Sequence, residues 1–205
     1  MPAQSLQTDA FVLLKRPPAE AFQGFTVFSA EHGALLVLQR IAKKSASTVV
    51  ALDLFDEASL QLESSNQGHT WFVKETRLIT RPAGIGRSYE SLRSASTLAA
   101  LIARNPVHEE SRLAVATLLR TAFAAFATDA RSDIVLFKSL YCFARDEGYP
   151  LKQQWFPTLA MEDRDTVAAL LNRPLADQTT APEPVTRLQR RLEDYLGSHT
   201  EILFD

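Results

Sequence analysis

The stretch FTVFSAEHGALLVLQRIAKK, Phe25 to Lys44, decides how the rest of the chain is read. Phe25 and Val27 fall on one face of an extended segment and Thr26 and Phe28 on the other. Ser29-Ala30-Glu31-His32-Gly33 is a short polar loop ending in glycine, which predicts a hairpin. Ala34–Ala42 is apolar on both faces, the pattern of a strand covered twice. Arg40, Lys43 and Lys44 close it as a basic cluster beside a Ser/Thr-rich loop. A hydrophobic hairpin that carries cations to an exposed loop suits an anion-binding barrel, and equally a solvated loop whose lysines serve solubility.

Strand signals continue on both sides. Ala10–Leu14 is a first strand, closed by Lys15-Arg16 and then Pro17-Pro18, which stop pairing. Val49–Phe55 and Ala58–Glu63 read as two more strands around Asp56-Glu57, with Leu60 and Leu62 on one face. Thr70–Thr80 is a long last strand whose alternation is out of phase, the mark of a strand that bends. Five or six short strands in about 75 residues predict a small closed barrel or sandwich. Composition then shifts at Arg81-Pro82-Ala83-Gly84, where the domain boundary is placed, giving residues 1–82 and 83–205. Helical spacing follows over Tyr89–Arg104, Glu109–Thr128, Asp133–Glu147, Asp163–Leu171 and Val185–Leu196. The third is apolar nearly all round and belongs in the middle of a bundle. Gly148 and Gly197 are read as helix caps and Thr179–Pro184 as a linker. The fold class expected is α+β, a barrel followed by an all-helical domain.

The chain has 205 residues, net charge -2, 46% hydrophobic and 22% charged residues, an ordinary globular balance. No global field draws it to a polyanion, so any such site must be a local patch. Its single cysteine, Cys142, permits no internal disulfide and no thiolate metal cluster. With no signal-like start and no window of roughly 20 apolar residues, a cytoplasmic protein is expected.

Motifs for phosphate loops, nucleophile elbows and zinc proteases are missing, and His32, His69, His108 and His199 are dispersed, so no enzyme is expected. The basic set of the strand region is Lys15, Arg16, Arg40, Lys43, Lys44, Lys74, Arg77, Arg81 and Arg87. Residues 1–87 hold nine Lys/Arg against eight Asp/Glu, so the region is only +1. Phe22, Phe25, Phe28, Trp71 and Phe72 are interleaved with it; they are core residues or, at a single-strand site, stacking platforms.

The order of five segments resembles the RecO family of bacterial DNA repair and recombination mediators. These are DAFVLLKR, TVFSAEHGALLVLQRIAKKS, LDLFDEASLQL, SYESLRSASTLAALI and LFKSLYCFARDEGYPL, spanning roughly residues 7–152, with RLQRRLEDYLGSH a looser match at the end. The resemblance implies an N-terminal OB barrel, a helical C-terminal domain, binding of single- and double-stranded DNA, and annealing of single strands. It also implies partnership with RecR and with the acidic tail of single-stranded DNA-binding protein. Arg120, Arg131 or Lys138 would then supply a cation for that tail. The alternative on the same fold is a protein-interaction adaptor with little DNA binding. Two departures stand out. Ile41, Lys43 and Lys44 replace the family's glycine and arginines, and no cysteine follows Tyr149, where many members bind zinc. No metal or cofactor is therefore expected, and Trp155, Phe156, Leu159 and Met161 are expected to hold that segment by packing.

Overall fold

The computed structural model describes residues 4–19, 21–41, 50–64, 68–128 and 131–204. Five strands, β1 (Gln4–Lys15), β2 (Phe22–Ser29), β3 (Gly33–Arg40), β4 (Glu57–Ser64) and β5 (Trp71–Thr80), close into a barrel in the order β1-β2-β3-β5-β4. Neighbours pair antiparallel except β3 with β5, which are parallel. This is the OB topology. Ala10, Val12, Phe25, Val27, Val37, Ala58, Leu60, Leu62 and Trp71 fill the interior.

The hairpin forms as its sequence predicts. Gly33 sits at φ +69°, a left-handed value that glycine adopts without strain, and pairs with Ser29. β1 is longer than the apolar run Ala10–Leu14. Its polar first half, Gln4–Asp9, pairs along β4 and keeps only Leu6 and Thr8 toward the interior side. The Thr8 and Ser29 hydroxyls meet there at 2.6 Å, which satisfies both.

The expected strand Val49–Phe55 is corrected. Val49 lies outside the described residues, and Val50–Asp56 is irregular, with Phe55 at φ +68°. The Gln39 side chain does what a neighbouring strand would. Its Nε2 donates to the Val50 carbonyl (2.9 Å) and its Oε1 accepts from the Leu52 N–H (3.0 Å), so Leu52 reaches the core without a ladder. β5 bends as predicted, its pairing with β4 shifting register at Glu57/Ala58 and Gln61/Leu62.

Five helices follow: α1 (Tyr89–Arg104), α2 (Arg112–Ala127), α3 (Ser132–Asp146), α4 (Met161–Asn172) and α5 (Pro182–His199). Two compact units result, residues 1–82 with 102–120, and residues 83–101 with 121–205. A break thus falls at Pro82, while 102–120 group with the barrel rather than with the other helical residues. Two arginines tie that segment there. Arg112 Nη1 donates to the Glu31 carbonyl (3.1 Å), and Arg120 grips Glu57.

In the second unit α3 packs against α4 and α5 and buries Ile134, Phe137, Leu140, Phe143 and Ala144 among others, the central helix that its all-round apolar sequence predicts. Gly148 caps it at φ +89°. α5 starts at Pro182, inside the expected linker, because proline is pre-set for a first helical turn. Gly197 does not cap it: the helix runs on to His199. Gly84 allows a close approach, since a Cβ there would lie 2.0 Å from the Ala127 carbonyl oxygen. Trp155 and Leu159 are buried and Phe156 half-buried, as the packing role requires, but Met161 is 79% exposed and contributes none. Among the described residues no helix is long and apolar enough to cross a membrane, and no three His, Cys, Asp or Glu side chains are grouped to hold a metal.

Candidate nucleic-acid interface

Strand alternation divides the barrel's side chains in two. With Phe25, Val27, Leu35 and Val37 turned inward, Phe22, Gly24 and Thr26 of β2 and Leu36, Leu38 and Arg40 of β3 face outward. Register lays them in rows. Leu14, Thr26 and Leu36 form one, Gly24, Leu38 and Phe72 the next, and Phe22 pairs with Arg40 at the end. The Phe22 and Phe72 rings meet edge to face, with centroids 5.5 Å apart. Leu36, Leu38, Phe22 and Phe72 are half-buried and Leu14 is exposed, so the outward face of β3 is only partly covered rather than covered twice.

The Arg16 aliphatic chain lies over Gly24, its Cδ 3.5 Å from where a Cβ would stand, as is Leu38 Cδ2, both ordinary van der Waals distances. The Arg16 N–H donates to the Gly24 carbonyl (2.9 Å), and the Arg16 carbonyl accepts from Gln23 Nε2. Arg16 and Arg40 are exposed and have no acidic partner among the described residues. The result is an apolar, partly aromatic strip with two arginines, Arg16 and Arg40, beside the N-terminal end of β2.

The remaining basic residues separate into classes that sequence does not distinguish. Lys15 is paired with Asp53 (3.0 Å) and Lys74 with Glu63 (2.7 Å), both pairs well exposed. Burial works against ionisation of Asp53, but the Lys15 ammonium and the Leu54 N–H more than offset it and hold the carboxyl below its usual range. Arg81 is a structural residue. Its Nε and Nη2 reach both oxygens of fully buried Asp56 at 2.8 and 2.6 Å, and Nη2 also donates to the Ala51 carbonyl. The hydrogen bond to Asp56 raises its pKa further above its ordinary value, against the effect of burial. Arg77 is exposed on β5 without an acidic partner among the described residues, and Arg87, also exposed, falls in the second unit. Lys43 and Lys44 lie outside the described residues.

The three cations expected for a partner peptide are not a set. Arg120 belongs to the barrel unit, where Nη2 meets Glu57 Oε1 at 2.5 Å and the guanidinium lies 5.5 Å above the Phe11 ring. In the second unit Arg131 binds Asp133 (2.7 and 3.0 Å) and the Thr180 carbonyl, while Lys138 Nζ donates to the Arg173 carbonyl that ends α4 (3.1 Å).

Of the aromatic residues singled out from sequence, Phe25, Phe28 and Trp71 are buried, and only Phe22 and Phe72 reach the outward face. Leu36 and Leu38 carry no signal of their own; only the inward placement of Val37 shows that they face out. No protein-family model matches the chain, and no curated protein matches it.

Proposed function

We propose that this protein is a non-enzymatic DNA-binding recombination and repair mediator. It would bind and anneal single-stranded DNA on the outward face of β2, β3 and β5, and work with RecR and single-stranded DNA-binding protein. The observation that carries the reading is the Phe22–Phe72 pair on that face with the unpaired Arg16 and Arg40 beside it. Single-strand binders on OB barrels combine these two elements: π faces for bases and cations that follow the phosphates. The resemblance to RecO supplies the annealing activity and the partners.

A second reading has an observation of its own. Lys15, Lys74 and Arg81 are engaged by carboxylates, which leaves a thin cationic surface and suits an adaptor that binds protein. Annealing separates the two. Complementary labelled strands mixed with the protein should pair faster than alone, and the acceleration should disappear in the double variant Arg16→Ala/Arg40→Ala. An annealing rate that the protein does not change would favour the adaptor.

A further inference from the structure

The two arginines of the barrel face are held in different ways. Arg40 is the last residue of β3, and its pairing with Phe22 of β2 fixes its backbone. Arg16 lies just beyond the end of β1 and is tied to β2 by its N–H, which donates to the Gly24 carbonyl (2.9 Å). Pro17 and Pro18 come next and have no N–H with which to extend the ladder. The turn is then closed by Ala19 and Phe22, which exchange backbone bonds of 3.0 and 2.9 Å.

Gln23 supplies the missing hold. Its Nε2 donates both of its hydrogens, one to the Arg16 carbonyl and one to the Gly24 carbonyl (3.1 Å). One amide thus bridges the residue that carries the cation and the residue over which its stem lies, with Arg16 Cδ and Cβ 3.5 and 3.6 Å from where a Gly24 Cβ would stand. Pro17 acts in the same direction, because the residue before a proline is confined to extended backbone. A long side chain on a fixed base has less freedom to lose when its guanidinium closes on a phosphate.

We infer that Gln23 is a positioning residue for strand binding, which presents the Arg16 guanidinium beside the Phe22–Phe72 strip before a phosphate arrives. This rests on the reading of that face as a single-strand site. Gln23 takes no part in the contact itself, since both of its amide hydrogens are spent on the two carbonyls.

A double-mutant cycle in the full-length protein tests this, read as Kd for a labelled thymidine oligomer at fixed salt. Gln23→Met keeps the length of the side chain and removes both donors. It should weaken binding about 2- to 10-fold, the cost of ordering one long side chain. Made in the Arg16→Ala background, the same change should leave Kd where Arg16→Ala alone sets it. In the free protein the backbone amide order parameter of Arg16 should fall from about 0.85 toward about 0.6 in Gln23→Met. Pro17→Ala, at an exposed position, should also weaken binding only while Arg16 is present. It covers the case in which Gln23→Met does not fold, which urea unfolding reports.

Equal weakening with and without Arg16 would overturn the proposal, because Gln23 would then act on the barrel at large. If Arg16→Ala weakens binding but Gln23→Met and Pro17→Ala do not, the proposal is overturned and the single-strand site stands. If Arg16→Ala itself leaves Kd unchanged, the site fails at Arg16 and the proposal falls with it.

Discussion

Phe72→Ala is the sharpest probe of the barrel face. Phe72 lies outward on β5 beside Leu38 and gives its edge contact to Phe22. Two effects follow from removing it. Losing one base-stacking platform costs about 1–3 kcal/mol of binding, roughly 5- to 150-fold in Kd. Stability also falls, because a half-buried ring loses about 1 kcal/mol of burial and about 0.5–1.5 kcal/mol of ring contact. Phe72→Leu separates the two, keeping most of the apolar cover while lacking a π face. Fluorescence anisotropy of a labelled thymidine oligomer at fixed salt gives Kd, and urea unfolding gives stability. The expected order of affinity is wild type above Leu above Ala, with the Leu variant close to wild type in stability. A folded Ala variant with unchanged Kd would refute the assignment of this face.

Three further outcomes are expected. Trp155→Ala should destabilise the protein by about 3 kcal/mol or more, since the ring is 2% exposed, and chelators should leave the melting temperature unchanged; both are read in thermal unfolding. Gly84→Ala should cost about 1–3 kcal/mol or more in the same assay, because a Cβ 2.0 Å from the Ala127 carbonyl oxygen forces backbone to move, whereas Gly86→Ala, with nothing within 4 Å, should be near neutral. Asp53 has a carboxyl pKa lowered by Lys15 and the Leu54 N–H, so it stabilises the fold above its unfolded pKa near 3.8 and loses that contribution as pH falls through its lower folded value. Lys15→Met should therefore flatten the stability profile only in this acid range, and an unchanged profile below about pH 4 would contradict the pairing.

The parts of the fold that were legible in sequence are those where periodicity and backbone demand coincide. Gly33 must take a positive φ where the β2–β3 loop closes, and the alternation of Phe25 and Val27 fixes the inward face of that hairpin. Gly148 marks the end of α3 for the same reason. Val49–Phe55 reads as a strand because its apolar content is that of one, and nothing local shows that Gln39, eleven residues before Val50, will satisfy the backbone at Val50 and Leu52 instead. The polar half of β1 escapes notice because pairing with β4, rather than side-chain burial, keeps it extended. At the site, Arg40 and Arg81 look alike in sequence. Asp56, which engages Arg81, stands 25 positions earlier, and only the fold brings the two together. Phe22 and Phe28 likewise differ in what covers them, which alternation within β2 does not reveal.

The salt dependence of single-strand binding tests the central claim most directly. Each neutralised phosphate contributes about 0.7 to the slope of log K against log salt on a single strand. If Arg16 and Arg40 each hold one phosphate, Arg16→Ala/Arg40→Ala should reduce the magnitude of that slope by about 1.4 and weaken every sequence alike. The wild-type protein should itself show a slope steeper than about -1.4. A wild-type slope near zero, or one that the double variant leaves unchanged, would contradict the account and leave the barrel face to a protein partner.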